Sequence, residues 1–335
     1  MVLSTPLARP LVEEVVRLLA RRGAYAIVRL SFAMEQLPFV SMWAEEAPEE
    51  LLERVAPADE HVWDAIDAWL SIAAPENASD GSELPLSRQT ALAKAQTPFR
   101  ERRLKMEIPW ATCRFPTPAL AQRAGMSTRA FEDFVYGAVL RDWDEETRRM
   151  QPILDRFNAA SEVRIVGHET DLRLSLEGRE GLIDDGRVNV PGGEVFFSPV
   201  EDATEGVITY SEFPAVQEPY LVEGARLVFE GGRVVEASAS AGEDELLEAL
   251  DRDEGARVLG ELGIGCNPGI QVHTRETLFD EKIDGTVHLA IGAGIPIVGG
   301  KNRSAVHWDM VKDLRQNGQL YCDGELVQEN GEWRL

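Results

Sequence analysis

The chain has 335 residues, 44% hydrophobic and 27% charged, long enough for two domains of ordinary size, each with its own core. Its 58 acidic against 34 basic residues leave a net charge of −24, which excludes nucleic acid as a partner and disfavours acidic membrane surfaces, because phosphate groups demand a basic patch. No apolar run is long enough for a membrane-spanning helix, and residues 1–10 lack the basic start and apolar stretch of a secretory signal.

Lysine is almost absent: Lys94, Lys105, Lys282, Lys301 and Lys312 are the whole set, and the carboxylates are spread along the chain. Such a surface stays hydrated when salt screens its self-repulsion, which predicts a halophile's protein. Cys113, Cys266 and Cys322 lie far apart, with no disulfide framework and no CxxC pair. They read as reduced thiols, which places the chain in the cytoplasm.

In chain order, Val2 and Leu3 read as the end of a strand, short enough to suggest that a longer version would complete it. Leu7, Leu11, Val15, Leu18 and Leu19 recur at helical spacing up to Gly23, and Ala24 to Leu30 reads as a strand. This β-α-β start predicts a parallel sheet. Residues 43–74 read as helices broken near Pro57, with Val62, Ile66, Trp69 and Leu70 as an apolar stripe. Residues 74–82 read as a loop, 86–103 as a helix, 105–111 as a strand, 117–124 as a short helix, and 127–157 as one or two helices interrupted near Pro152. From Glu162 the period changes to the alternation of strands: 163–166, 171–176, 193–197, 206–210, 225–230 and 233–237, with a hairpin at Gly231-Gly232. A helix over 243–252, a strand over 285–291 and a terminal hairpin over 319–335 complete the reading. The predicted organisation is an α/β domain over 1–157 with a mainly parallel sheet, and a strand-rich α+β domain over 158–335.

The chemistry concentrates in the second half. His307 and Asp309, in Ser304-Ala305-Val306-His307-Trp308-Asp309, are two apart, so on an extended segment both side chains point the same way. His288 interrupts the apolar run Thr286-Val287-His288-Leu289-Ala290-Ile291, where an imidazole needs a partner. Glu194 follows a glycine turn at the head of an apolar run, and Glu261 lies between apolar residues and glycines. Carboxylates in such settings are costly unless paired or metal-bound. Glu281 is a further candidate, with a solvated loop carboxylate as the competing reading. Glutamates, histidines and an aspartate without a cysteine suit two divalent ions, with zinc, cobalt and manganese all reasonable. Two ions about 3.5–4 Å apart activate water and polarise a carbonyl, which is hydrolytic chemistry.

The order P-G-G-E-V-F, G-E-L-G-I-G-x-N-P, D-E-K-I-x-G-T-V-H-L-A-I-G and G-G-x-N-x-S-A-V-H-W-D, from about Asp171 to Asp309, resembles the aminopeptidase T family of metallo-aminopeptidases. The first half resembles that family's first domain only loosely. The resemblance implies a dinuclear centre that removes N-terminal residues from peptides, in a homodimer with a secluded active site. Carried onto matching positions, it implies Glu194, Glu261, Glu281, His288, His307 and Asp309 as ligands, Glu261 as the bridge, and Glu261 and Glu281 as catalytic carboxylates. Better-known members carry a tyrosine seven residues after the histidine matching His288, where this chain has Ile295, and Glu281 stands two residues farther from His288 than in those members. A non-catalytic metal-binding relative and a metal-dependent hydrolase of another amide are the alternatives. No P-loop or dinucleotide fingerprint is present. His61, His168 and His273 lack ligand spacing and read as structural or solvated, with His273 close enough to the motifs to meet substrate.

Overall fold

The computed structural model describes residues 1–31, 41–79, 84–217 and 220–335. In chain order its elements are β1 (Val2–Ser4), α1 (Arg9–Arg21), β2 (Val28–Leu30), α2 (Ser41–Glu46), α3 (Glu49–Leu52), α4 (Pro57–Ala65), β3 (Trp69–Ala73), α5 (Leu86–Leu104), β4 (Trp110–Arg114), α6 (Pro118–Arg123), α7 (Thr128–Val139) and α8 (Trp143–Asn158). Then come β5 (Glu162–Gly167), β6 (Thr170–Ser175), β7 (Leu182–Asp184), β8 (Asn189–Val190), β9 (Glu194–Phe197), β10 (Glu205–Tyr210), β11 (Ala215–Gln217), β12 (Tyr220–Val222), β13 (Ala225–Glu230) and β14 (Arg233–Ser238). The chain ends with α9 (Glu243–Leu250), β15 (Leu259–Gly265), α10 (Thr277–Asp280), β16 (Thr286–Gly292), β17 (His307–Asp313), β18 (Gln319–Cys322), β19 (Glu325–Glu329) and β20 (Glu332–Trp333).

Two compact units emerge, one of residues 1–135 with 188–190, the other of 136–187 with 191–335. The division falls inside α7, and α8, which the sequence reading assigns to the first domain, belongs to the second unit.

The first unit carries an all-parallel sheet in the order β2-β1-β3-β4-β8. Strand β1 sits between β2 and β3, with both edges paired, and its three residues are buried, Val2 against Ala8 and Val12 and Leu3 against Ile66 and Phe99. Helix α1 turns Val12 inward against Val2, Ala8, Ile72 and Ala74. Residues 69–73 correct the helical reading of 43–74. Trp69 and Leu70 do continue the 3.6-residue stripe of Val62 and Ile66, but the segment forms β3, because pairing on both edges to β1 and β4 satisfies its backbone there. The predicted strand at 105–111 also shifts, to Trp110–Arg114, because α5 runs on to Leu104. The predicted loop over 74–82 lies partly outside the described residues.

In the second unit the helical region does not break at Pro152, which lies inside α8. The break is at 140–142, where the Asp142 carboxylate accepts hydrogen bonds from the backbone N–H of Asp144 and Glu145, both 3.1 Å, and so starts α8 afresh. Two large antiparallel sheets follow, in the orders β14-β13-β10-β6-β5-β18-β19-β20 and β17-β16-β15-β9-β7, with a two-stranded ribbon of β11 and β12 beside them in sequence. A continuous core unites them, with Leu172, Ile208 and Leu227 from one and Phe197, Leu262, Leu289, Trp308 and Met310 from the other. Strands β7, β15 and β17 were not recognised as elements in the sequence; β15, with its three glycines, lacks an ordinary strand composition. No helix among the described residues is long and apolar enough to cross a membrane.

Candidate metal centre

One face of the sheet β17-β16-β15-β9-β7 carries every candidate ligand named above except Glu281. Residues directly opposite in an antiparallel pair share a face. The register sets Glu194 opposite Gly265, Gly263 opposite His288, Glu261 opposite Ala290, Ala290 opposite Asp309, and Gly292 opposite His307. Thus four strands bring Glu194, Glu261, His288, His307 and Asp309 onto one surface. The alternate residues, Val195, Leu262, Ile264, Leu289, Trp308 and Met310, face the apolar core. Gly263 clears the floor: a Cβ there would lie 1.9 Å from His288 Cε1, so only glycine lets the imidazole lie flat across β15.

The remaining motif residues hold this surface in shape. Gly193 adopts φ +110, and a Cβ on it would lie 2.6 Å from Asn267 Cβ. Asn267 donates from Nδ2 to Gly192 O at 2.9 Å and to Ala138 O at 3.1 Å, and its backbone N–H donates to Lys282 O. One asparagine thereby joins the turn before Glu194, the end of β15 and the segment bearing Glu281. On the far side, the Asp253 carboxylate accepts from Ser304 Oγ and from the Ala305 N–H at 2.7 Å, and Asn302 Nδ2 donates to Gly292 O at 2.6 Å. These bonds pin the loop that delivers His307.

Both imidazoles are oriented the same way. His288 Nδ1 lies 2.9 Å from Glu281 O, and His307 Nδ1 lies 2.9 Å from Ala293 O. A carbonyl only accepts, so each Nδ1 carries the proton and each Nε2 faces the carboxylates. His288 Nε2 is 3.4 Å from Glu261 Oε1, 3.5 Å from Glu194 Oε2 and 4.0 Å from Asp309 Oδ1. His307 Nε2 is 3.1 Å from Glu261 Oε2 and 3.8 Å from Asp309 Oδ1. Glu261 therefore faces one imidazole with each oxygen. Glu281 joins from the segment after α10, with one oxygen in range of Glu194 and His288. Two groups result, Glu194–Glu281–His288 and Glu261–His288–Asp309, each with ligand atoms within 4.8 Å of one another. His307, the exposed member of the six, lies at the rim.

These donors fit a metal. Glu194 Oε2 and Asp309 Oδ1 are buried and have no hydrogen-bond partner among the described residues, an arrangement that is costly unless something else binds there. Locked imidazoles with Nε2 toward oxygen donors are the arrangement that divalent ions require. Without an ion the charges settle among themselves. Burial pushes His288 down, but its hydrogen bond to Glu261 and the nearby carboxylates outweigh this and raise it to about 10. His307, its ring desolvated although the residue sits at the rim, likewise rises to about 10 through Asp309 and Glu261. Burial pushes Glu261 up, but its two imidazole partners bring it down to about 2, whereas burial dominates at Asp309 and lifts it to about 6.

Two residues of this surface were not anticipated. Lys282 is completely buried, ion-paired with Glu281 and 3.2 Å from Glu194 Oε1, and Asp184 on β7 lies 3.6 Å from it. Burial presses this ammonium toward neutrality, but the three carboxylates more than offset it and keep it charged. Its rarity as one of five lysines was the only sequence feature that set it apart, and that feature says nothing of its burial. His273 pairs with Asp280, its Nε2 3.2 Å from Oδ2, under a stacked Phe213, and burial with the Arg275 charge lowers it to about 4, a neutral imidazole. The cysteines are free, Cys266 and Cys322 buried and Cys113 partly so.

The profile of the M29 thermophilic metalloproteases matches residues 1–333. Aminopeptidase 2 of Geobacillus stearothermophilus is 27% identical over 97% of this chain and 90% of its own length. The solved structure of wild-type AmpT from Thermus thermophilus superposes with a TM-score of 0.83 at 26% identity, covering 100% of this chain and 93% of that one. A 2,5-dihydroxypyridine dioxygenase from Pseudomonas putida KT2440, at 17% identity and a TM-score of 0.62, shares the fold alone, so the chemistry must be read from the site. With a parallel helix-flanked sheet, an antiparallel strand-rich unit and a full-length profile match, the chain belongs to the M29 family of thermophilic metalloproteases.

Proposed function

We propose that this protein is an aminopeptidase that removes N-terminal residues from peptides with two divalent ions. The observation that carries this is the pair of imidazoles, each locked through Nδ1, whose Nε2 atoms face Glu261 from either side. Glu194, Glu281 and His288 would hold one ion, His307 and Asp309 the other, and Glu261, with one oxygen toward each half, would bridge them. In such a donor set bound ions supply Lewis acidity toward the peptide carbonyl and lower the pKa of a water, with zinc, cobalt or manganese all suited.

The protein's own residues do the rest. A carboxylate of the centre would take up a proton and pass it to the leaving amine, Glu281 being the proposed carrier and Glu261 acting through its bridging charge. Carboxylates of this strongly anionic site also pair with the free α-ammonium of a substrate, which is the basis for acting at N-termini. The aminopeptidase named among the relatives supports that substrate class. A cytoplasmic homodimer built partly by the second unit completes the reading, and light scattering in high salt checks it, a monomer mass counting against it.

The decisive assay offers aminoacyl amides, short peptides and their N-acetylated forms to protein stripped of metal and reloaded with zinc, cobalt or manganese in molar salt. Release only from free amines and only with metal is expected. No release from protein shown to hold two ions would support the second reading, a non-catalytic metal-binding relative, which Ile295 in the tyrosine position favours.

A further inference from the structure

The half of the centre built from Glu194, Glu281 and His288 contains a fully buried ammonium, and the half built from Glu261, His307 and Asp309 does not. Lys282 Nζ ion-pairs with Glu281 Oε1 and lies 3.2 Å from Glu194 Oε1. Both glutamates thus turn Oε1 to the lysine. Glu194 Oε2 is left 3.5 Å from His288 Nε2, with no hydrogen-bond partner among the described residues. Asp184 also lies 3.6 Å from the ammonium. Asp184 stands opposite Glu194 in the register of β7 with β9, so the sheet itself fixes their separation. A buried ammonium is tolerated only when it is paired, and here a hydrogen bond to Glu281 and the charges of Glu194 and Asp184 compensate it. Around Glu261, His307 and Asp309 the neighbouring donors are imidazoles.

We propose that Lys282, held by Asp184, is a positioning residue for one of two ion subsites: it occupies Oε1 of Glu194 and of Glu281, so that each offers Oε2 alone to an ion shared with His288. This rests on the two-ion reading above. Without the ammonium, Asp184, Glu194 and Glu281 repel one another, and neither glutamate is held with a single oxygen forward. The subsite of Glu261, His307 and Asp309 makes no contact with Lys282 and keeps its geometry. Groups that orient metal ligands typically change affinity by about 10–100-fold when removed.

The test uses the full chain, stripped by chelator and titrated with cobalt(II). Binding is followed by visible absorption and bound metal is counted after desalting. The wild type is expected to take two ions. Lys282→Met should bind one ion as the wild type does and the other at least about tenfold more weakly. Asp184→Asn should weaken that same ion by a smaller factor. His307→Ala should lose the opposite ion, so that Lys282→Met combined with His307→Ala keeps only the weakened ion. Two ions at wild-type affinity in a folded Lys282→Met protein, equal weakening of both, or one ion kept at wild-type affinity by the double variant would each overturn the proposal. If Lys282→Met does not fold, Asp184→Asn decides, and wild-type affinity for both ions there refutes it. A wild type that takes no second ion removes the two-ion reading itself, a failure visible before any variant is made.

Discussion

Replacing Glu261 by glutamine isolates the role of one charge at the middle of the centre. Glutamine keeps the volume and a hydrogen-bond acceptor but removes the charge that faces His288 Nε2 at 3.4 Å and His307 Nε2 at 3.1 Å. In the metal-free protein those imidazoles bring the carboxyl down from 4.5 to about 2 despite burial. At about 1.4 kcal/mol per pH unit, the depression corresponds to roughly 3 kcal/mol of stability. The same attraction raises the two histidines, so it is counted once. Because the folded-state value lies below the unfolded one, this stability is fully present above about pH 4.5 and is lost as pH falls toward 2. Toward pH 10 it fades again, as the imidazoliums give up their protons. Urea unfolding of metal-free Glu261→Gln at pH 7 should therefore show a deficit of about 3 kcal/mol, shrinking to about 2 kcal/mol at pH 3.5. The metal-loaded variant should be folded and without turnover. Equal stabilities at pH 7, or a deficit that does not shrink in acid, would refute the assignment of Glu261 as the shared partner of both imidazoles.

With a net charge of −24, melting temperature should rise between low and molar salt, and a flat or falling response would remove the halophile reading. Ile295→Tyr should raise turnover by up to about 10²–10³ if a phenol there supplies the missing oxyanion donor, and peptide hydrolysis by the loaded enzyme measures it. Lys312→Met should destabilise the second unit by about 1–3 kcal/mol in urea unfolding, with metal content unchanged. The completely buried Lys312 Nζ donates to Thr209 O at 2.7 Å and Glu212 Oε1 at 2.8 Å, and its loss leaves both without that partner.

Much of the centre was legible because its residues are chemically out of place. A histidine inside Thr286–Ile291 and a glutamate between Leu259 and Gly265 have no reason to be there unless something binds them, and motif order alone led to the family. Lys282 and Asp184 were not legible, because adjacent Asp280, Glu281 and Lys282 read as an ordinary charged turn. Only burial of the ammonium, with β7 paired beside β9, makes it part of the site.

The sequence by itself determined the chemical inventory: an acidic, lysine-poor chain, an α/β first half, an alternating second half, and six ligand-type residues in family order. The tertiary structure decided which of them meet. Alternation tells which face of a strand a residue occupies, but not which strand lies alongside. That β15 would take β9, some sixty residues earlier, on one edge and β16 on the other is set by burial of Val195, Leu262, Ile264 and Leu289 on the opposite face. The same principle settled Trp69–Ala73, where a helical stripe became the middle of a parallel sheet: a local pattern yields when two neighbouring strands are there to satisfy its backbone.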